Sequence, residues 1–222
     1  MDVKYLRNKI MSYKEPKRKD WQNRTGEEKG YLIFMARIID PKLIHRLIEL
    51  QRELEEFECC QLILPEYLHI SIKDIGYLTA TPQDSNDFPL EILPQAIYES
   101  KKIFREVKPF KFRLGRIGIF PQAVFVEIEE HGIIKEIQSR IEKTLSYVSF
   151  SEREKKGFLP HISIAYIINN NDLEDLRIFL GASWKHNLFF GDYKVDKIEL
   201  VKIDDRRQLT YETLTEFRLE NL

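Results

Sequence analysis

Apolar residues recur along the chain with two spacings, which predict alternating strands and helices. Runs that alternate or stay apolar are typical of strands, whereas apolar positions three and four residues apart are typical of helices. Strands are predicted at residues 31–39, 68–75, 110–119, 123–129, 159–167, 194–203 and 209–219, and helices at 42–57, 90–107, 132–147 and 171–180. The polar segments 79–89 and 149–157 are predicted to be loops.

The order of these elements contains a repeat. A strand, a helix, a loop and a His-x-Ser triplet follow one another from Tyr31 to His69, and again from Ala123 to His161. Each interval is 38 residues, and the two copies are offset by 92 residues. We therefore predict two lobes related by a pseudo-two-fold axis. The bilobal domain spans residues 31–222, with repeats at 31–76 and 123–168.

Residues 1–30 stand apart as a basic extension. They carry nine Lys or Arg and five Asp or Glu, a net charge of +4 on a chain whose formal net charge is −1. Apolar positions at Val3, Leu6, Ile10 and Tyr13 predict a short amphipathic helix. Two interpretations remain open, a solvated extension or a basic arm that contacts RNA.

The overall composition excludes several classes of protein. With 43% hydrophobic and 32% charged residues it is that of a globular domain. No apolar run is long enough to span a bilayer and no secretory signal is evident, so no membrane partner is expected. A net charge of −1 argues against a large footprint on duplex nucleic acid, although not against gripping one phosphate at an RNA end. The adjacent Cys59 and Cys60 are expected to be free thiols in a reducing, cytoplasmic setting.

The two His-x-Ser triplets carry the candidate chemistry. Because alternate residues of a strand share a face, His69, Ser71 and Lys73 are predicted to point one way, and His161 and Ser163 likewise. A single triplet of this kind arises often by chance, but two copies at the same place in a repeat are difficult to dismiss. We interpret His69 and His161 as catalytic.

Two such pairs facing one another suit phosphodiester chemistry. One neutral histidine can take a proton from an attacking water, and the other, protonated, can donate to the leaving oxygen. The hydroxyls of Ser71 and Ser163 can bind the non-bridging phosphate oxygens, and Lys73 can add positive charge. This scheme needs neither a metal nor a cofactor. No phosphate loop, dinucleotide-binding glycine pattern or serine-hydrolase elbow occurs in the sequence.

Four segments resemble the LigT-like branch of the 2H phosphoesterase superfamily, over roughly residues 31–222. They are residues 68–78 (LHISIKDIGYL), 118–127 (GIFPQAVFVE), 158–165 (FLPHISIA) and 211–219 (YETLTEFRL). The resemblance implies an α+β fold of two lobes, each an antiparallel sheet flanked by helices, with the active-site cleft between them. It also implies metal-independent hydrolysis of an RNA 2′,3′-cyclic phosphate to a 2′-phosphate, and ATP-independent 2′-5′ RNA joining.

The resemblance also assigns roles and exposes departures. His69 matches the proton donor, His161 the proton acceptor, and Ser71 and Ser163 the phosphate-binding positions, where many relatives carry Thr. Many relatives also carry Arg at two positions where this chain has Gln122 and Tyr166. Losing both cations is expected to weaken the grip on phosphate or RNA.

Three hypotheses about function follow from the sequence. The first is an RNA 2′,3′-cyclic phosphodiesterase, with Phe120 and Tyr166 as candidate base-stacking surfaces. The second is a phosphodiesterase acting on 2′,5′-linked oligonucleotides or small cyclic nucleotide phosphates. The third is an RNA- or nucleotide-binding module with weak catalysis, and in each case the chain is expected to act as a monomer.

Overall fold

A mixed set of ten strands and four helices makes up the described part of the chain. The computed structural model describes residues 30–84, 86–145, 148, 157–183, 191–205 and 210–220. The strands are β1 Tyr31–Arg37, β2 Cys60–Leu62, β3 His69–Thr79, β4 Asp87–Pro89, β5 Phe110–Phe120, β6 Ala123–Glu129, β7 His161–Ile167, β8 Tyr193–Val195, β9 Lys197–Asp205 and β10 Thr210–Arg218. The helices are α1 Pro41–Arg52, α2 Leu93–Arg105, α3 Ile133–Thr144 and α4 Leu173–Ser183.

The sheet has two halves that meet at its centre. Its strand order is β10-β9-β1-β3-β7-β6-β5-β8, with β2 beside β7 and β4 beside β3. All described pairs are antiparallel except β3 with β4. The halves join where β3 pairs with β7 at a single position, Ile70 opposite Ile162. The predicted α+β class with antiparallel sheet is confirmed.

The four predicted helices are confirmed, and the end of α1 differs most from its prediction. Helix α1 begins where the sequence indicates, since Asp40 Oδ1 accepts hydrogen bonds from the backbone N–H groups of Lys42 and Leu43, each at 2.9 Å. It ends at Arg52, five residues short of the predicted end at residue 57. The next residues include Glu53, Glu55 and Glu56, whose negative charge is unfavourable at a helix C-terminus.

Two strands were missed, one predicted strand is divided, and two predictions cannot be compared. Strands β2 and β4 have three residues each, too few to show a period, and β4 lies inside the predicted loop 79–89. The strand predicted at 194–203 is divided between β8 and β9. The amphipathic helix predicted near the N-terminus, and nearly all of the loop at 149–157, lie outside the described residues.

The main core lies between the sheet and its helices. It joins the sheet residues Ile70 and Ile162 to helix residues such as Leu47 and Ile137. A second, smaller cluster lies on the other face of β1 and β9, with Tyr31, Ile33, Met35, Val201 and Ile203. Strand β1 is therefore buried on both faces. No described helix is long and apolar enough to cross a membrane.

Candidate active site

The two His-x-Ser triplets lie side by side at the centre of the sheet. Strands β3 and β7 begin at His69 and His161, and run antiparallel with Ile70 opposite Ile162. That register places His69 opposite Ser163 and Ser71 opposite His161. Because opposite residues share a face, all four polar side chains lie on one face of the sheet, here called the histidine face. Ile70 and Ile162, both 0% exposed, point into the main core on the other face.

Both imidazole rings are oriented by the same kind of hydrogen bond. The Nδ1 atom of His69 lies 2.7 Å from the carbonyl oxygen of Tyr67, and Nδ1 of His161 lies 2.7 Å from that of Leu159. A carbonyl oxygen can only accept, so Nδ1 carries the proton in each ring. With Nδ1 protonated, Nε2 is the ring atom that carries the lone pair in the neutral form of each imidazole.

A β-bulge follows the serine in each triplet. Met35 and Phe34 lie opposite Ser71 and Lys73, so Ile72 is the extra residue in β3. In β7 the extra residue is Ile164, between Ser163 opposite Phe125 and Ala165 opposite Val124. Such bulges bend a strand and re-aim the neighbouring side chains.

The bulge changes the position of Lys73. Strict alternation predicted one face for His69, Ser71 and Lys73, and that prediction is wrong at Lys73. This residue lies opposite Phe34, whose side chain belongs to the main core, and is only 1% exposed. The extra residue shifts the alternation by one position, so Lys73 leaves the histidine face.

His69 lies in an environment that favours its neutral form. Burial is the largest influence and lowers the pKa of the ring; the nearby positive charge of Arg37 lowers it further. The hydrogen bond with the Tyr67 carbonyl and the charge of Asp74 act in the opposite direction, but the pKa remains below its ordinary value. Arg37 lies directly opposite His69 in the β1–β3 pair.

His161 lies among aromatic rings. Phe120 and Phe125 stack with centroids 4.0 Å apart, and both meet the imidazole edge to face, at 5.0 and 5.3 Å. The ring of Phe158 is farther away, with its centroid 6.3 Å from that of the imidazole. His161 is only 6% exposed. The aromatic rings therefore restrict the orientation of His161. Phe120, a candidate base-stacking residue, lies next to this imidazole.

Comparison with known proteins identifies the family. The model of the 2′-5′ RNA ligase superfamily matches residues 34–207, which include both triplets. This chain belongs to the 2′-5′ RNA ligase superfamily. The members of this superfamily are the 2H phosphoesterases, as the paired triplets indicated.

Individual relatives are distant in sequence and similar in fold. An RNA 2′,3′-cyclic phosphodiesterase of Methanocaldococcus jannaschii is 24% identical over 177 residues, covering 77% of this chain and 90% of that protein. The crystal structure of TT0787 of Thermus thermophilus superposes with a TM-score of 0.62 at 21% identity, covering 85% and 97% of the two chains. Escherichia coli LigT in complex with 3′-AMP superposes with a TM-score of 0.57 at 13% identity, covering 88% and 100%.

Arg37 is a charged residue near the site that the sequence analysis of this 2H phosphoesterase missed. Its Nη2 atom donates to Glu199 Oε2 at 2.6 Å and to Thr213 Oγ1 at 3.1 Å. Its guanidinium lies over the ring of Tyr211, 5.0 Å from the centroid. The sequence held one signal, a charge that interrupts the apolar run of β1. That signal did not reveal that strands β9 and β10 supply the partners of Arg37.

Tyr166 and Gln122, which the sequence analysis also singled out, lie on strand β7 and beside strand β6. Tyr166 lies opposite Ala123 and Gln61, partly buried against the main core. Gln122 is in the turn between β5 and β6, and its carbonyl accepts from the backbone N–H of Ile167 at 2.9 Å. Base stacking by Tyr166 stays a prediction. Within the described ranges, no three His, Cys, Asp or Glu side chains cluster in a way that could hold a metal ion.

Proposed function

We propose that this chain hydrolyses 2′,3′-cyclic phosphate ends of RNA to 2′-phosphate ends, with His69 and His161 as the pair that transfers protons. The observation that carries the proposal is the common face of the two triplets, with each Nδ1 hydrogen-bonded to a backbone carbonyl. The choice of RNA as substrate is supported by the name of the Methanocaldococcus jannaschii relative.

The proposed reaction balances with two proton transfers. A water attacks the phosphorus atom while the neutral imidazole of His161 takes its proton. The bond between phosphorus and O3′ breaks, and His69 gives its proton to the leaving O3′. Because burial and Arg37 lower the pKa of His69, only the fraction of the enzyme that carries protonated His69 reacts. The phosphate stays on O2′. An RNA 5′-hydroxyl in place of water would form a 2′-5′ linkage by the same two transfers.

The hydroxyls of Ser71 and Ser163 complete the proposed site. Each lies opposite the histidine of the other triplet, so both can donate hydrogen bonds to the non-bridging oxygens of one phosphate. Arg37, opposite His69, supplies the nearby positive charge in place of Lys73, which lies on the other face. Phe120 is retained as a candidate surface for a nucleobase because its ring borders His161.

The first test replaces each histidine by asparagine. Asparagine keeps an N–H donor close to the position of Nδ1 and lacks Nε2, so the bond with the strand carbonyl can persist while proton transfer is lost. With a short RNA ending in a 2′,3′-cyclic phosphate, H69N and H161N should each lower kcat by roughly 10²- to 10⁴-fold, or about 3–5 kcal/mol of barrier. The double variant should lose little more, because the two rings act as a unit.

The matched control is H45N on helix α1, where the histidine side chain is 71% exposed. It should retain full activity. In the native protein the pH profile of kcat/KM should be bell-shaped, with one limb below the ordinary pKa of histidine because the pKa of His69 is lowered. Full activity of both asparagine variants would remove these histidines from the mechanism.

The same assay separates the alternative functions. Turnover of nucleoside 2′,3′-cyclic phosphates or 2′,5′-linked oligonucleotides, without turnover of RNA ends, would change the substrate and keep the site. A binding module would bind RNA ends equally well in native and H69N/H161N forms and turn over none of these substrates.

A further inference from the structure

Two buried glutamines have no role in the chemistry described so far. Gln51, on helix α1, is 4% exposed, and Gln138, on helix α3, is 2% exposed. A buried side-chain amide is unfavourable unless its polar atoms are hydrogen-bonded, so the partners of these two residues matter.

Both amides donate to the bulges of the catalytic strands. Gln138 Nε2 donates to the carbonyl oxygen of Ile72 at 2.8 Å. Gln51 Nε2 donates to the carbonyl oxygen of Ile164 at 2.8 Å, and to that of Ile63 at 2.6 Å. Ile72 and Ile164 are the extra residues directly after Ser71 and Ser163. The two glutamines therefore bind equivalent positions of the repeat.

Each glutamine binds a strand of the other repeat and not of its own. Helix α1 belongs to the first repeat, yet its glutamine holds the strand of the second triplet, and helix α3 does the reverse. The glutamines are not equivalent in sequence, since the offset of 92 residues pairs Gln51 with Lys143 and Gln138 with Arg46. Equivalent carbonyls of the two bulges are thus bound from non-equivalent helical positions, which indicates that the bulge is the feature that requires a donor.

We propose that Gln51 and Gln138 are positioning residues that hold the two bulges, and with them the directions of the serine hydroxyls and imidazoles. A bulge contains one residue more than the strand it pairs with. If the bulge were lost, the register would shift by one residue and the side chains on one side of it would move to the opposite face of the strand. An amide from the helix layer that binds the extra carbonyl opposes that slip. The inference rests on the proposed function for its kinetic readout.

The main test replaces each glutamine by methionine, which has similar length and no donor. Misplacement of about 1 Å can cost on the order of 100-fold in rate, so Q138M should lower kcat by roughly 10- to 100-fold with KM little changed. Q51M should have a smaller effect, because Ile164 O also accepts from the backbone N–H of Ile63 at 3.0 Å. Circular dichroism would establish that both variants are folded.

Q138E tests the role of the donor through the pH dependence of kcat, which would not change if Gln138 only stabilised the fold. A protonated carboxyl can donate to Ile72 O, whereas a carboxylate cannot. The kcat of Q138E should therefore approach the native value at low pH and fall as the carboxyl ionises, adding a limb to the profile. The matched control is S100A on helix α2, a 0% exposed residue whose Oγ donates to Ala96 O at 2.6 Å. It should lower the melting temperature without changing kcat or the pH profile.

A spectroscopic arm keeps the inference separate from the proposed function. The imidazole resonances of the two histidines can be followed by NMR without any substrate. Q138M should shift the signals of His69, Q51M those of His161, and S100A neither. If the native protein leaves cyclic phosphates intact, the proposed function fails and the NMR arm still decides the inference. Unchanged imidazole signals in Q138M and Q51M, or a native kcat with only a lower melting temperature, would overturn it.

Discussion

Replacing Arg37 by methionine should destabilise the protein by leaving Glu199 with a buried charge. Glu199 is 1% exposed and contacts Arg37 Nη2 at 2.6 Å and Lys197 Nζ at 2.9 Å. Breaking a fully buried ion pair costs about 3–5 kcal/mol, and breaking an exposed pair costs about 0–1 kcal/mol. Because the Arg37 side chain is 30% exposed and Lys197 remains, we expect an intermediate loss. That loss should be about 1–3 kcal/mol, or roughly 3–10 °C in melting temperature.

A double-mutant cycle isolates this interaction. R37M, E199Q and R37M/E199Q would be unfolded with urea and with heat, and E199Q should recover part of the stability lost in R37M. A coupling of about 1 kcal/mol or more is expected, whereas additivity within about 0.5 kcal/mol would refute the reasoning. R37K is the conservative control, since it keeps the charge and loses the planar contact with Thr213 and Tyr211.

The sign of the pH dependence gives a second check on R37M. Despite the opposing effect of burial, Lys197 and Arg37 lower the pKa of Glu199 in the folded state. Its contribution to stability is therefore present above the unfolded pKa and is lost as pH falls through the folded pKa. The stability difference between native protein and R37M should shrink in acid. In the same variant the pKa of His69 should rise, because a nearby positive charge is removed, and NMR titration of the ring would measure this.

Two further substitutions test the surroundings of the site and the start of helix α1. A Cβ atom at Gly118 would lie 2.4 Å from the ring of Phe125, which packs against His161, so G118A should lower kcat as well as the melting temperature. An unchanged kcat in G118A would contradict a role for the aromatic rings in orienting His161. D40A removes the acceptor for two backbone N–H groups and should cost about 1 kcal/mol in urea unfolding, with kcat unchanged. A native urea midpoint in D40A would show that this cap is replaced by water.

Local periodicity and two short motifs carried much of the prediction. The strands that hold His69 and His161 were correct because an apolar alternation of seven or more residues is a strong local signal. The beginning of helix α1 followed from Asp40 and Pro41, whose effect is also local. The repeat was visible because both triplets recur at one spacing. The strand pairing does not follow the repeat in full. Arg37 lies opposite His69 and Glu127 lies opposite His161, but these two partners are 90 residues apart, whereas the histidines are 92 residues apart.

The contacts around the site depend on residues distant in sequence. Arg37 binds Glu199 and Thr213, which are 162 and 176 residues away, so no local pattern could assign its partners. The bulge that moves Lys73 off the histidine face is a property of two paired strands, whereas alternation is a property of one.

What the sequence determined by itself was which residues are the candidates for the reacting groups. The residue types and their duplication point to two histidines and two serines, and strand periodicity places each pair on one face. The tertiary structure decided how those groups are held. The single Ile70–Ile162 pair, the carbonyls that orient the imidazoles and the amides of Gln51 and Gln138 arise when the chain packs. The chemical groups available to a site follow from residue types, which the sequence gives directly. Their orientation depends on hydrogen bonds that form only when distant segments of the chain meet.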